Sequence, residues 1–274
     1  MPDSSLGRAA RILTSLDKDG ARLTDICSRT GLNIGTVHRL LRTLKVYGFV
    51  VQSPFDRRYH LGHSFIKLAW DSLLLHQLLI VASHDEMKSL NKATKETVAL
   101  IVPYGIERVN LLELPSQQAI KYAFGSGHSA PLYASAGGKM LLAEFSDHER
   151  EVLLEVMNFA PLTSHTVTDK NVLVTELKNI QKQGYAISFG GVVSGTASVA
   201  VPIKNYVTPA CLAVYGPEDR FDDIISHLNE LKGSARRISK KLLKYGQQAR
   251  EIGSPFQNTK HMEDAGQERK NRVK

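Results

Sequence analysis

The sequence predicts an α+β protein built in successive parts, and three observations predict it. Residues 23–62 order a short helix, a glycine turn, a basic helix and a hairpin with the tip P-F-D-R-R. Residues 63–82 read as one helix with more apolar surface than a single domain can hide. Beyond them, strand-like runs and amphipathic helices continue to residue 244, the pattern of an antiparallel sheet with helices gathered around it.

In the first part, Leu6, Ala9, Ala10, Leu13 and Leu16 set an apolar stripe on a helix over 6–16. Thr24 is placed to cap a second helix, which Gly31 ends in the position that favours a left-handed residue. Cys27 falls where the first helix crosses the second and reads as a small buried side chain. The third helix runs from Asn33 to Val46. Val37, Leu40, Leu41 and Leu44 recur at i, i+3, i+4 and i+7 and define its buried face.

At about 100° per residue, Gly35, Arg39 and Arg42 project opposite that face. Thr36 and Thr43 flank them on one side and His38 on the other. Two arginines among small polar side chains can reach base edges and phosphates unobstructed. The hairpin follows as 49–52 and 58–61 around a turn at 54–57. Arg57 and Arg58 near its tip suit the DNA backbone or minor groove, and Tyr59 packs beneath. This order of elements is that of a winged helix-turn-helix, spanning 1–62. Alone, the third helix also reads as a solvated amphipathic helix; its neighbours favour DNA.

In 63–82, Phe65, Ile66, Leu68, Ala69, Trp70, Leu73, Leu74, Leu78 and Leu79 spread over more than one stripe. Lys67, Asp71, His76 and Gln77 exclude a membrane span. The expectation is a linker helix that pairs with a second copy. A helix over 83–95 leads into strands at 97–102, 108–114 and 118–124. Helices at 133–145, 147–157 and 169–183 precede strands at 185–189, 198–203 and 210–215. A final amphipathic helix covers 220–244, which makes 83–245 the second domain. The tail, 246–274, has few large apolar residues and is expected to be disordered.

A length of 274 residues suits two domains of ordinary size. No apolar run approaches the roughly 18 residues of a membrane span. The start M-P-D-S-S-L-G-R-A-A-R lacks the apolar stretch of a secretory signal. Cys27 and Cys211 make no disulfide framework, so the expected setting is the cytoplasm, away from membranes. Of the net charge of +8, most lies at the start: residues 1–61 hold 10 Lys/Arg against 5 Asp/Glu, while 62–245 hold 19 against 18. The excess sits where phosphate neutralisation needs it.

Five stretches carry a resemblance: T-G-L-N-I-G-T-V-H-R-L-L-R-T-L (30–44), Y-H-L-G (59–62), A-P-L-Y-A-S-A-G-G-K-M-L-L-A (130–143), G-Y-A (184–186) and A-V-Y-G-P (213–217). In this order and spacing the chain resembles IclR-type bacterial transcriptional regulators over about residues 5–245. The resemblance implies a winged-helix domain, a linker helix and a GAF/PAS-like effector-binding domain. It also implies homodimers, often paired into tetramers, on a double-stranded DNA operator. Where the family usually has Pro-Lys-Ser, this chain has Asn33, Ile34 and Gly35, which leaves more base reading to Thr36, Arg39 and Arg42. The DNA-binding candidates are thus Thr24, Asn33, Gly35, Thr36, His38, Arg39, Arg42, Arg57 and Arg58.

The stretch from Gly125 to Lys139 is the part of the second domain richest in Gly, Ser and Ala. Small residues leading into a helix leave backbone N–H groups bare, and the helix dipole adds positive potential, which suits a carboxylate. The same residues serve tight helix–sheet packing, and both readings can hold. The family's small acid effectors sit at this helix start, which implies Ala136 and Gly137 here. Further pocket positions implied by the resemblance are Ser188, Ser198, Ala213 and Tyr215. The family commonly has an acid, a Cys or Ser, and two serines at those four, and an acid where Gly191 stands. This substitution pattern points away from a pyruvate or glyoxylate site and toward a less polar carboxylate, aromatic ones included. Tyr215 also reads as a core tyrosine whose hydroxyl finds a backbone partner.

A catalytic reading finds little. Asp147–His148 and His165–Asp169 lack metal-ligand spacing with further donors. Ser126 and His128 share a strand face with no orienting acid. Gly190, Gly191 and Gly195 lack the Lys-Ser/Thr ending of a phosphate loop. Cys211 sits in an apolar strand and is expected to be inert. No catalytic residue, metal or cofactor is expected. The expected function is a sequence-specific transcriptional regulator, a repressor, controlled by a small organic acid. A metabolite-binding enzyme with a vestigial DNA-binding domain is the alternative.

Overall fold

The computed structural model describes residues 4–17 and 19–251, with the backbone alone for 69–75 and 249–251. The chain divides into two compact units, Met1–Gln77 and Leu78–Lys274.

In the first unit, α1 (Ser5–Thr14) begins on Ser4, whose side chain accepts from the Gly7 N–H at 3.1 Å. α2 (Leu23–Thr30) begins at Arg22 rather than Thr24, which corrects the expected cap. The Asp25 carboxylate accepts from the Arg22 N–H at 3.0 Å, so a first-turn acid closes the helix start and Thr24 is an exposed helical residue. Gly31, at φ 67°, ends α2 as expected. α3 (Ile34–Val46) is capped by Asn33, whose Oδ1 accepts from the Thr36 N–H at 2.8 Å. Val37, Leu40 and Leu41 bury their stripe against Ile12, Ile26, Val50 and Tyr59, with Leu44 and Cys27 partly buried beside them.

β1 (Val50–Gln52) and β2 (Tyr59–Leu61) pair antiparallel, and Ala21 bridges to Tyr59. The Gly62 of Y-H-L-G is a packing requirement: a Cβ there would stand 2.1 Å from the Gly48 carbonyl oxygen.

α4 (Ser64–Thr94) is one helix where the sequence suggests two, 63–82 and 83–95. No glycine or proline interrupts the hydrogen-bond ladder at A-S-H-D (82–85). Phe65 packs edge-on against Phe49 at 5.5 Å, while Ile66, Leu68 and Leu78 are exposed. The side chains of Ala69, Trp70, Asp71, Leu73 and Leu74 lie outside the described residues.

The second unit holds a six-stranded antiparallel sheet in the order β5-β4-β3-β8-β7-β6. Its strands are β3 (Thr97–Tyr104), β4 (Glu107–Leu114), β5 (Ser129–Pro131), β6 (Ala186–Phe189), β7 (Thr196–Ile203) and β8 (Ala210–Pro217). On one face α5 (Ala136–Glu144), α6 (Asp147–Val156) and α7 (Lys170–Gln183) supply Met140, Leu141, Leu154, Leu173 and Leu177 to the core. On the other, Leu79, Met87 and Leu90 of α4 join Ile224 of α8 (Phe221–Ser226) and Leu231 and Ile238 of α9 (Leu228–Glu251). The α+β class is as expected.

Three elements differ from the sequence reading. Residues 118–124 form no strand; side chains hold this segment instead. Thr97 Oγ1 donates to the Tyr122 carbonyl at 2.6 Å, and Arg220 Nη2 to the Ile120 carbonyl at 3.0 Å. The short β5 takes the edge position in their place. The single final helix over 220–244 is divided by a break at His227, and α9 continues to Glu251, past the expected start of disorder at 246. The rest of that tail, 252–274, lies outside the described residues. Among the described residues, no helix is long and apolar enough to cross a membrane.

Candidate DNA interface and effector cavity

Because α3 buries only its Val37–Leu40–Leu41 stripe, Asn33, Gly35, His38, Arg39 and Arg42 are exposed and Thr36 is half-buried. Arg39 and Arg42 make no side-chain hydrogen bond or ion pair among the described residues. A Cβ on Gly35 would meet only Asn33 Oδ1, at 3.7 Å, so packing does not demand a glycine there. Its effect is to flatten the helix start, letting another backbone come close.

Thr24, His38 and Arg57 line a groove between α2, α3 and the hairpin that also takes in Arg22 and Lys45. Those two cations escape the sequence reading, although Arg22 stands immediately before a helix start. First-turn N–H groups of α2 add positive potential there. At the hairpin tip Phe55 is 96% exposed, and Arg57 is held at φ 58°. Arg58 is turned inward: its Nη1 donates to the Gly20 carbonyl at 3.1 Å, and its Nε lies 3.5 Å from Asp56. It braces the hairpin against the turn before α2.

In the second unit, a cavity of about 30 Å³ lies between α5 and the sheet. Gly137, Ser188, Ser198, Ala213 and Tyr215, five of the six expected positions, line it. Ala136 is fully buried one residue before Gly137. Strand register explains the grouping: Ser188 faces Ser198, and Ser198 faces Tyr215, across β6, β7 and β8. A Cβ on Gly137 would stand 2.5 Å from Ile101 Cδ1, and one on Gly191 would stand 1.9 Å from the Ala134 carbonyl oxygen. The Ala134 carbonyl thus requires glycine at 191, whereas at 137 the end of the Ile101 side chain would have to give way; both glycines also leave backbone open at the cavity wall. Ser135 caps α5 by accepting from the Gly138 N–H at 3.2 Å, which leaves the N–H groups of Ala136 and Gly137 without a helical acceptor.

The cavity has a polar wall that the sequence reading misses. β4 shifts register opposite Leu100/Ile101, where Leu100 pairs with Leu112 but Ile101 pairs with Asn110. The extra residue puts Arg108, Asn110 and Glu113 among the buried side chains of one strand. Glu113 accepts from the Gly125 N–H at 2.8 Å, from Asn110 Nδ2 at 2.9 Å and from the Tyr215 hydroxyl. Burial and the adjacent carboxylate push the Tyr215 phenol well up, so it remains a donor. Its partner is therefore a side chain, not the backbone. The usable trace in the sequence is the run of polar residues inside E-R-V-N-L-L-E-L.

Phe124 stacks on His128 at 4.7 Å and lies 5.5 Å from the Tyr215 ring, giving the cavity an aromatic side. Burial, and then the charge of Arg108, hold His128 below its ordinary value. Ser126 accepts from the Glu113 N–H at 3.1 Å rather than pairing with His128. Asp147 pairs with Arg150, and Asp169 caps α7. Cys211 is fully buried and burial pushes its thiol up. No cluster of three or more His, Cys, Asp or Glu that could hold a metal occurs among the described residues.

The IclR helix-turn-helix domain matches residues 5–54, and the bacterial transcriptional regulator IclR C-terminal domain matches residues 72–240. The transcriptional regulator XynR of Escherichia coli strain K12 is 28% identical over 80% of this chain and 88% of its own. The crystal structure of the Thermotoga maritima IclR superposes with a TM-score of 0.68 at 28% identity, covering 87% of this chain and 98% of that one. An IclR homologue from Microbacterium hydrocarbonoxydans, solved with 4-hydroxybenzoate, gives 0.67 at 25% identity over 88% of this chain and 100% of that one. These relatives are regulators, not enzymes. With a helix-turn-helix unit at its start and an antiparallel-sheet unit after it, the chain belongs to the IclR family of DNA-binding bacterial transcriptional regulators.

Proposed function

We propose that the chain is a cytoplasmic repressor whose grip on an operator is relieved by a small organic acid. In this reading, 1–62 is the winged-helix domain, 63–82 the dimerising linker and 83–245 the effector domain. Thr36, Arg39 and Arg42 read bases, while Asn33, His38, Thr24, Arg57 and the α2 start set the backbone register. The observation that carries it is the pair of exposed arginines on α3 with no side-chain partner among the described residues.

Exposed Ile66, Leu68, Leu78 and Val81 along α4 support pairing of two copies, or of two pairs. The cavity at the α5 start supports an acid ligand, and the Microbacterium hydrocarbonoxydans homologue carries an aromatic one. A ligand acts here only by binding two arrangements of the protein with different affinity.

The test is retardation of DNA from the region upstream of its own gene. Affinity should fall steeply between about 50 and about 200 mM salt, and unrelated DNA should compete poorly. Light scattering of the same sample should give a dimer or tetramer. A monomer that binds all DNA alike would refute the reading.

A further inference from the structure

Arg108 is 4% exposed, yet no carboxylate lies within ion-pair distance of it among the described residues. Its Nη1 donates to Asn110 Oδ1, a neutral amide oxygen. Among the described residues its buried Nε has no hydrogen-bond partner and its Nη2 makes no bond. Glu113, the acid whose charge acts on Arg108, is already occupied by Asn110, Tyr215 and the N–H groups of Gly125 and Phe124. Nη1 points along one side of a planar guanidinium; the Nε–Nη2 edge, which matches a carboxylate with two parallel bonds, is the edge left over. Arg108 lines the cavity together with Gly137, Phe124 and Tyr215.

A buried cation held in this way costs stability unless something completes it. From the open guanidinium edge, its burial and its place in the cavity wall, we infer that Arg108 is the specificity-determining residue for the effector, binding its carboxylate through Nε and Nη2. Asn110, itself held by Glu113 and Tyr215, positions that edge by occupying Nη1. The rest of the ligand lies against Phe124 and Tyr215, which suits a monocarboxylate with a flat or branched apolar body. This inference rests on the proposal that the cavity takes an organic acid.

Two measurements on the full chain test it. Without ligand, Arg108→Met should raise the thermal midpoint, because it removes a buried, incompletely paired charge; a purely structural arginine would give a lower midpoint, which would overturn the inference. Calorimetric titration with 4-hydroxybenzoate, benzoate and pyruvate, each beside its amide, supplies the second readout. At least one acid should bind the wild type and its amide should not. Arg108→Met should weaken that acid roughly 100-fold or more, and Arg108→Lys, which keeps charge but not the two-pronged edge, by roughly 10-fold. Equal binding by wild type and Arg108→Met would remove Arg108 from recognition and leave the acid reading standing. Binding of the amides alone would overturn both.

Discussion

On α3, Arg39 and Arg42 are exposed and have no side-chain partner among the described residues, whereas Arg108 on β4 is 4% exposed and fixed by Asn110 on one side. The same side chain serves opposite ends in the two places. In water, screened by salt, an arginine gains little from one anion and much from a row of phosphates that release counterions. In a buried wall it gains much from one well-placed carboxylate and is almost indifferent to bulk salt. The glycines follow the same division. A Cβ on Gly35 would make only an ordinary contact with Asn33 Oδ1 at 3.7 Å, while Gly191 and Gly138 have carbonyl oxygens at 1.9 and 2.2 Å from where a Cβ would go.

The comparison can be broken by substitution. Gly191→Ala should have the largest effect on stability, a loss of roughly 1–3 kcal/mol as the Ala134 carbonyl is displaced. Urea unfolding measures this, and an unchanged midpoint would mean that the sensor is as loosely packed as the DNA-facing surface. Asn33→Ala should cost about 1 kcal/mol through loss of the α3 cap. Faster amide exchange should be confined to the first turns of α3. Gly35→Ala should be neutral or gain up to about 1 kcal/mol, since the residue adds helix propensity without a clash.

The smallest effect is on pH dependence. Folded His128 is held low by burial and by Arg108, while in the unfolded chain it takes up a proton near its ordinary value of 6.5. Stability is therefore full above that value and declines as pH falls toward the folded pKa. His128→Gln should flatten that acid-side decline in the thermal midpoint. It should not abolish it, because burial also lowers His76. An unaltered slope would show that His128 is solvated.

The first unit is the more legible of the two in sequence because its elements are local. The period of Val37, Leu40, Leu41 and Leu44 fixes the face of α3, and Gly31 marks the end of α2. The Thr24 cap is misplaced because Asp25 reaches back to Arg22, a bond that spacing alone does not reveal. In the second unit, 118–124 alternates like a strand, but Ile120 is exposed and the segment is held by Thr97 and Arg220, both distant in the chain. Arg108 is invisible for a similar reason: it alternates as a solvent-facing residue until the irregularity opposite Ile101 places it in the wall of a cavity. Ser188, Ser198, Ala213 and Tyr215 are found only through family resemblance, because strand pairing, not sequence proximity, brings them together.

The most direct test of the whole account is competition retardation of the upstream DNA fragment by wild type and by the Arg39→Ala/Arg42→Ala double variant at fixed salt. With each base-reading arginine contributing roughly 1–3 kcal/mol of discrimination, the double variant should lose about 100-fold or more in preference over unrelated DNA. It should keep the wild-type fold and ligand binding. An unchanged preference would mean that α3 does not read DNA.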